Sequence, residues 1–194
     1  MRRTNNDIKR EFLNRWVKPG SKVLDAGCGQ GGDIHKWHAL NVDYTGFDPN
    51  PLAIDEARRR AYRMDWEVLP KFLVGLIIDA PDEQFDVVCY NFSFQYQDPS
   101  GYKEIVRRLK PGGLLLGIVP DPIRFGEGPK NGISIFEGSV PGKVGIYISG
   151  TPYYEGGPIE EPIVTRGDVT SGLGLVPVLW GESFSIYSKF VFQC

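Results

Sequence analysis

Short apolar runs and stretches with a helical repeat alternate along residues 1–120 of the chain. The runs are of strand length and predict five strands, at residues 22–25, 42–47, 72–78, 85–92 and 114–119. The stretches between them keep apolar residues on one helical face, as Ile34 and Trp37 do after the first strand. The alternation predicts an α/β fold in which helices cover both faces of a mostly parallel central sheet.

The two ends of the chain depart from this alternation. Residues 5–16 predict an amphipathic helix, because Ile8, Phe12 and Trp16 repeat every four residues. After Pro120 glycine and proline become frequent and long helical repeats disappear. Short strands are predicted in this part, at residues 133–136, 144–148 and 184–192. We expect it to extend the sheet in antiparallel fashion and to form one wall of a substrate site.

Composition adds two constraints to this picture. The length of 194 residues indicates one domain with a sizeable core. The net charge of −2 excludes a general binder of polyanions, although seven Lys or Arg residues stand against two acidic ones in residues 1–22. This basic end is suited either to face phosphates or to form a solvated helix surface.

The cysteines and the apolar runs bear on the compartment. Three scattered cysteines fit neither a disulfide framework nor a zinc site, and we expect no metal. The first residues show no signal-peptide pattern, and no apolar run is long enough to span a bilayer. We therefore expect a protein of a reducing compartment, cytoplasmic or nuclear, that is neither secreted nor held in a membrane.

The segment that carries chemistry is the glycine turn at residues 27–32, Gly-Cys-Gly-Gln-Gly-Gly, between the first strand and a helix. Such a turn lets the backbone approach a nucleoside ligand at the end of a parallel strand. Its G-x-G-x-x-G spacing, with Asp48 about 20 residues on, also fits a dinucleotide site. Asp25 argues against a dinucleotide, because a carboxylate there repels a pyrophosphate and attracts a sulfonium or amino group. Asp48, at a strand end, can accept from both ribose hydroxyls.

Two further segments, Phe-Asp-Val-Val at 85–88 and Leu-Lys-Pro-Gly-Gly at 109–113, complete a set. Together with the glycine turn they resemble class I S-adenosylmethionine-dependent methyltransferases over residues 23–119. The resemblance implies a Rossmann-like fold and S-adenosylmethionine as the cofactor. It divides the single domain into a basic N-terminal helix, a cofactor-binding core and a substrate-side β extension, at residues 1–20, 21–120 and 121–194.

Motifs along the whole chain narrow the resemblance to the mRNA cap guanine-N7 methyltransferases. They are Asn-Asn-x-x-Lys at 5–9, Gly-Gln-Gly-Gly-Asp-Ile-His-Lys-Trp at 29–37, Phe-Ser-Phe-Gln-Tyr at 92–96, Pro-Asp at 120–121, Ile-Glu-Glu-Pro-Ile-Val at 159–164 and Ser-Ile-Tyr-Ser-Lys-Phe-Val-Phe at 185–192. The family methylates N7 of the guanine at the capped 5′ end of RNA. The resemblance to this family implies capped RNA as the partner of this chain, with other capping-enzyme domains or a stimulatory subunit as further partners.

The resemblance also implies roles for individual residues. Those expected to hold the cofactor are Lys9, Asp25, Gly27, Gly29, Gln30, Asp48, Asn91 and Tyr96. Those expected to hold the cap guanine are Asn5 and Asn6 at the entrance and Gln95, Glu161 and Tyr187 in the pocket. Of the adjacent Glu160 and Glu161 only one is expected to face the guanine, since neighbours on an extended chain point to opposite sides. No catalytic side chain is expected, because guanine N7 has no proton to lose and positioning suffices.

The chain departs from the family at three positions. Gln30 replaces a lysine in the turn, Gln95 replaces a histidine, and Leu76 stands where a carboxylate is expected to take the adenine amino group; Asp79 is the nearest carboxylate. Residues 165–182 must replace a helical insertion of the family, so we expect a compact version, viral or cut from a larger capping protein.

Three other functions stay open from the sequence. One is a class I methyltransferase that acts on a small molecule or a protein. Another is a cap-binding or cofactor-binding domain without turnover, as the departures at Gln30, Gln95 and Leu76 allow. The last is a nicotinamide dehydrogenase, which Asp25 disfavours.

Overall fold

Helices and strands alternate in the first part of the chain as the apolar pattern predicts. The structure, a computed structural model, describes residues 2–120, 133–148, 157–184 and 187–194. The first elements are α1 (Arg2–Trp16), β1 (Lys22–Ala26), α2 (Ile34–Ala39), β2 (Asp43–Asp48), α3 (Pro51–Ala61), β3 (Lys71–Val74), β4 (Phe85–Asn91), α4 (Tyr102–Arg107) and β5 (Leu109–Pro120). The later ones are β6 (Ile133–Glu137), β7 (Lys143–Ile148), β8 (Ile159–Pro162), α5 (Arg166–Leu173), β9 (Val176–Phe184) and β10 (Tyr187–Gln193). Short 3₁₀ helices lie at Ile77–Asp79, Phe94–Tyr96 and Pro99–Gly101.

A seven-stranded sheet with the order β3-β2-β1-β4-β5-β10-β9 forms the centre of this structure. Strands β1 to β5 are parallel to one another, and β10 and β9 join them in antiparallel orientation. The predicted mostly parallel sheet with an antiparallel C-terminal extension is confirmed. In this order β1 is flanked by β2 and β4, so the carboxyl ends of these three strands meet at one edge, where ligands bind in open α/β sheets.

Helices cover both faces of the sheet because successive strand residues point to opposite sides. On one face Val23 packs with residues of α1, α2 and α3, among them Phe12, Trp37 and Ile54. On the other face Leu24 packs with residues of α4 and α5, among them Ile105 and Val169. The N-terminal helix is thus part of the core through its apolar face.

Two strand predictions are wrong in their bounds. The third strand ends at Val74 rather than at residue 78. Gly75, with φ of 155°, turns the chain into the 3₁₀ helix that follows, and the Leu76 N–H donates to Asp79 Oδ2 at 2.8 Å. The predicted last strand at 184–192 corresponds to two antiparallel strands, β9 and β10, between which residues 185–186 lie outside the described residues.

The part after residue 120 is only partly an extension of the sheet. Strands β6 and β7 lie where they are predicted, but together with β8 they form a separate antiparallel sheet. Helix α5 was not expected. Its signals are local: Thr165 and Asp168 form a capping box, and Gly174 ends the helix with φ of 65°.

Candidate active site

The glycine turn follows β1 and is closed by backbone hydrogen bonds to the neighbouring strand. The N–H groups of Gly27 and Cys28 donate to the Phe47 carbonyl at 2.9 and 3.0 Å. Gly31, with φ of 73°, packs so closely that a Cβ atom there would lie 2.4 Å from Ile34 Cδ1. Gly29, in contrast, has no described atom within 4 Å of such a position. The turn is therefore packed on its inner side and open at Gly29.

Asp48 ties the turn to the end of β2. Its Oδ2 accepts from the Gly29 N–H at 3.0 Å and its Oδ1 from the Asn50 N–H at 2.9 Å. Asn50 in turn caps α3 by accepting from the Leu52 N–H at 3.0 Å. The carboxylate is only partly buried, so each oxygen keeps a lone pair for a ligand. Gln30, at the tip of the turn, is exposed.

Asp25 lies under the turn rather than at its surface. It is 5% exposed, and its Oδ2 accepts from Trp37 Nε1 and from the Tyr44 hydroxyl, each at 3.0 Å. Burial, reinforced by the negative charge of Asp33, raises the pKa of Asp25 to about 7. Its predicted contact with the cofactor stays a prediction; the structure adds that α2 and β2 hold this carboxyl in place.

A polar cluster around Asp33 joins α1 to the same edge of the sheet. Lys9 Nζ lies 2.6 Å and Lys36 Nζ 2.7 Å from Asp33 Oδ1, and Asn91 Nδ2 donates to Oδ2 at 3.2 Å. Lys36 also donates to Asn6 Oδ1 at 3.2 Å. Among the described residues, Asn91 Oδ1 is buried without a hydrogen-bond partner. Three residues predicted at the site, Lys9, Asn91 and Asn6, are thus brought together by Asp33, which was not singled out for a role.

The segment after β4, at Phe92 and Ser93, contacts several elements at the carboxyl edge of the sheet. Phe92 has φ of 62°, an uncommon conformation for a bulky residue and one that clusters at functional sites. The adjacent Ser93 donates from Oγ to the Ala26 carbonyl at 2.6 Å and fastens the segment to the glycine turn. The Phe92 ring lies between two predicted site residues, 5.4 Å from Lys9 Nζ and 4.6 Å from the Tyr187 ring. Neither Phe92 nor Ser93 was assigned a role, since backbone strain leaves no sequence signal.

Gln95, in the 3₁₀ helix after β4, and Glu161, in β8, form a buried pair. Gln95 Nε2 donates to Glu161 Oε2 at 2.8 Å, and the two residues are 66 positions apart. Gln95 Nε2 also donates to the Phe92 carbonyl at 3.2 Å, which uses its second hydrogen. Its Oε1 is buried without a hydrogen-bond partner among the described residues. The pair therefore presents a carboxylate and an amide oxygen that is ready to accept a donor.

The neighbours of this pair settle which glutamate faces inward. Glu161 is buried, and burial raises its pKa although Gln95 and Tyr96 donate to it. Glu160 is exposed and accepts from the backbone N–H and hydroxyl of Ser139 at 2.6 and 3.0 Å. Tyr96 is 60% exposed and lies beside Glu161, and its expected contact with the cofactor stays a prediction. The side chain of Asn5 and the residue Asp121 lie outside the described residues.

An open cleft of about 510 Å³ lies beside Gln95, between the segment after β4 and α5. It is lined by Gln95, Gln97, Pro99, Tyr102, Ile163, Val164, Asp168, Ser171 and Gly172. The cleft carries amide, hydroxyl, carboxylate and apolar groups without a lysine or arginine. It gives the surroundings of Gln95 access to solvent.

The end of β3 lacks the expected carboxylate. Leu76 is 57% exposed, whereas the Asp79 carboxylate folds back onto the Leu76 N–H at 2.8 Å. The 3₁₀ turn thus places the Asp79 carboxylate against the backbone N–H of Leu76. Elsewhere in the described part of the chain, His, Cys, Asp and Glu side chains form no cluster suited to a metal ion. No described helix is both long and apolar enough to cross a membrane.

Comparisons with known proteins agree with this geometry. Residues 23–113 match a protein-family model described as a methyltransferase domain. The fold is similar to that of a Pyrococcus horikoshii protein, with a TM-score of 0.73, 20% identity and coverage of 98% of this chain and 90% of the other. It is also similar to a glycopeptide N-methyltransferase complexed with S-adenosylmethionine, with a TM-score of 0.70, 17% identity and coverage of 97% and 92%. The predicted fold class, the Rossmann-like fold of class I methyltransferases, is confirmed, and residues 23–113 are similar to a methyltransferase domain.

Sequence relatives indicate a narrower group of methyltransferases to which this chain is similar. The mRNA cap guanine-N(7) methyltransferase of Saccharomyces cerevisiae is 30% identical over 141 residues, which are 62% of this chain and 32% of that protein. The corresponding Schizosaccharomyces pombe protein is 29% identical over 140 residues, 62% of this chain and 39% of that one. The resemblance to the cap guanine-N7 methyltransferases that the motifs indicate is confirmed. The chain spans about a third of the length of these relatives. A viral source stays a prediction.

Proposed function

We propose that this chain transfers the methyl group of S-adenosylmethionine to N7 of the guanine at the capped 5′ end of RNA. The observation that carries the proposal is the buried Gln95–Glu161 pair, because it joins two segments that the sequence relates separately to cap methylation. The relatives named as cap guanine-N(7) methyltransferases support the same substrate.

The residues at the carboxyl edge of the sheet fit S-adenosylmethionine. The open side of the turn at Gly29 leaves room for the cofactor backbone, and Asp48 offers a carboxylate to the ribose hydroxyls. Lys9 supplies a cation for the methionine carboxylate, and the unpartnered Asn91 Oδ1 supplies an acceptor for its ammonium group. The ribose hydroxyls and both charged groups of the methionine part of the cofactor thus have complementary protein groups at this edge.

The Gln95–Glu161 pair fits the hydrogen-bonding edge of guanine. Guanine presents the N1–H and the N2 amino group as neighbouring donors, while N7 is an acceptor. Glu161 can take one donor and Gln95 Oε1 the other, which leaves N7 free at the opposite side of the base. Tyr96, exposed beside Glu161, offers an aromatic ring on which the base can stack.

The protein's part in the reaction is alignment. S-adenosylmethionine supplies a methyl group already activated by the sulfonium, and guanine N7 attacks with a lone pair that carries no proton. Lys9, Asp48 and the glycine turn hold one reactant, and Glu161 and Gln95 hold the other. Holding two reactants in line is worth roughly 7–11 kcal/mol. No side chain is therefore required as a general base.

Calorimetry on the substitution Glu161→Ala tests the proposal. We expect the affinity for a methyl-acceptor cap analogue, a capped guanosine dinucleotide, to fall about tenfold or more. The affinity for S-adenosylmethionine should stay unchanged. Glu160→Ala is the matched control. Glu160 carries the same charge as Glu161 but is exposed, so its removal should leave both affinities unchanged. The reverse pattern, loss of cofactor affinity with intact cap affinity, contradicts the pocket.

A transfer assay separates the proposal from the other functions that the sequence leaves open. Labelled methyl should appear on the cap analogue at N7 and not on uncapped guanosine triphosphate. Cofactor binding with no transfer to the cap points instead to a small-molecule or protein substrate, and binding of both ligands without turnover points to a binding domain. Interaction with RNA beyond the cap, and with other capping-enzyme domains or a stimulatory subunit, belongs to the same proposal.

A further inference from the structure

Asp33 stands at the centre of contacts from three elements. Its Oδ1 pairs with Lys9 of α1 and Lys36 of α2, at 2.6 and 2.7 Å, while its Oδ2 accepts from Asn91 at the end of β4 at 3.2 Å. All three partner atoms of the carboxylate are nitrogen donors. Burial by itself raises the pKa of Asp33, but Lys9 and Lys36 outweigh it and lower the pKa below its ordinary value. The carboxylate is thus an ionised hub.

The position of Asp33 in the chain makes this arrangement informative. Asp33 is the N-cap residue of α2, a position where an aspartate usually accepts from the first N–H groups of the helix. Within the described structure its side chain makes no such cap hydrogen bond. The Asp33 carboxylate faces the two lysines instead. It therefore contacts α1 and β4 rather than capping α2.

Lys9 and Lys36 connect Asp33 with residues proposed for the cofactor and for the cap guanine, respectively. Lys9 Nζ lies 5.4 Å from the centroid of the Phe92 ring, on the cofactor side of the segment after β4. Lys36 Nζ donates to Asn6, a residue expected at the cap entrance, at 3.2 Å. The two cations share this buried place with the Asp33 carboxylate and with the Asp25 carboxyl, whose pKa is raised by burial and by Asp33.

We propose that Asp33 is a positioning residue that fixes Lys9 for the cofactor and Lys36 with Asn6 for the substrate, and so couples the binding of the two ligands. The inference rests on the proposed function. Asp33 acts through the lysines and need not touch either ligand. Because one carboxylate orders both cations, a ligand that orders one of them lowers the cost of ordering the other.

The test is a double-mutant cycle with calorimetry of S-adenosylmethionine binding. Asp33→Asn keeps the shape and removes the charge, and we expect the dissociation constant to rise about tenfold. In the Lys9→Met background the same substitution should change it less than about twofold, because the residue through which Asp33 acts is gone. Equal effects in both backgrounds overturn the positioning role and leave a merely structural one.

The coupling is measured with the second ligand. In the unmodified chain we expect S-adenosylmethionine to raise the affinity for a cap analogue, and in Asp33→Asn this enhancement should fall to about one. An enhancement as large in the variant as in the unmodified chain overturns the inference. If the unmodified chain binds no S-adenosylmethionine, the proposed function fails first, so the two failures are distinguishable.

Two further variants guard against a general loss of structure. Asp86→Asn is the matched control, since Asp86 accepts from Lys110 Nζ at 2.7 Å at the opposite end of β4. It should leave both affinities unchanged while removing an ion pair of similar length but greater exposure. Asp33→Glu keeps the charge and shifts both lysines, so it should keep the melting temperature yet weaken cofactor binding. Full cofactor affinity in Asp33→Glu contradicts the need for exact placement.

Discussion

The proposed cofactor region and the proposed substrate region of this protein are built in different ways. In the first, Gly29 and Asp48 are 19 positions apart and meet within one strand–helix–strand unit through a backbone N–H and a carboxylate. In the second, Gln95 and Glu161 are 66 positions apart and meet through two side chains from segments outside the parallel core. The cofactor region is therefore set by local chain geometry, whereas the substrate region depends on how the separate sheet docks.

The two regions also differ in the surroundings of their carboxylates. The Asp48 carboxylate has both oxygens engaged by backbone N–H groups. In the substrate region a buried amide oxygen of Gln95 has no partner among the described residues, and Glu161 is buried at the expense of its charged form. Asn91 Oδ1, on the cofactor side, is likewise buried without a partner among the described residues. Buried polar groups without partners cost free energy, so both regions gain from a ligand that supplies donors.

The largest expected effect of a single substitution lies in the turn. Gly31→Ala places a Cβ atom 2.4 Å from Ile34 Cδ1 and 3.2 Å from the Ala57 Cα atom, at φ of 73°. We expect the free energy of unfolding to fall by about 2–4 kcal/mol. Chemical denaturation measures this. Gly20→Ala is the control: it has positive φ but open space, and should cost about 1–2 kcal/mol. Equal losses would show that packing of the turn does not matter.

Asp48→Ala probes the same region through the ligand. It removes the carboxylate proposed for the ribose and the acceptor of the Gly29 N–H, so cofactor affinity should fall about 10- to 100-fold. Asp48→Asn keeps an acceptor for the Gly29 N–H, so its cofactor affinity should lie between those of the unmodified chain and Asp48→Ala. Calorimetry that finds an unchanged dissociation constant for Asp48→Ala contradicts the ribose role.

Asp25→Asn tests the buried carboxyl beneath the turn through pH. The pKa of Asp25 is raised to about 7 in the folded chain, so the folded state holds this proton more tightly than the unfolded one. Its contribution to stability is therefore full below about pH 4 and is lost as the pH rises through about 7. Relative to the unmodified chain, the Asn variant should gain stability as the pH rises from about 4 to about 7 in denaturant titrations. A constant difference across that range contradicts the shift.

The smallest effect is expected at Glu160. Glu160→Gln weakens exposed hydrogen bonds to Ser139, whereas Glu161→Gln alters the buried partner of Gln95. Cap affinity should be unchanged in the first variant and reduced in the second. A reduced cap affinity for Glu160→Gln would move the pocket to the other face of β8 and break the contrast between the regions.

Much of the cofactor region is predictable from the sequence, because its signals are short-range. The glycine turn, the cap at Asn50 and the ends of β1, β2 and β4 follow from periodicity and turn chemistry. The third strand was predicted too long, since the apolar residues after Gly75 belong to a 3₁₀ turn that exposes Leu76 and Ile78. Helix α5 was missed although Thr165, Asp168 and Gly174 carry its start and end signals.

By itself the sequence determined the order of strands and helices up to residue 120, the class of fold and the candidates for both ligands. Only the tertiary structure decided that Glu161 rather than Glu160 is buried, that Tyr96 lies beside Glu161, and that Asp33 gathers Lys9, Lys36 and Asn91. The physical reason is distance along the chain. A turn is governed by the dihedral preferences of neighbouring residues, whereas a buried polar cluster depends on which faces of remote segments are packed against one another.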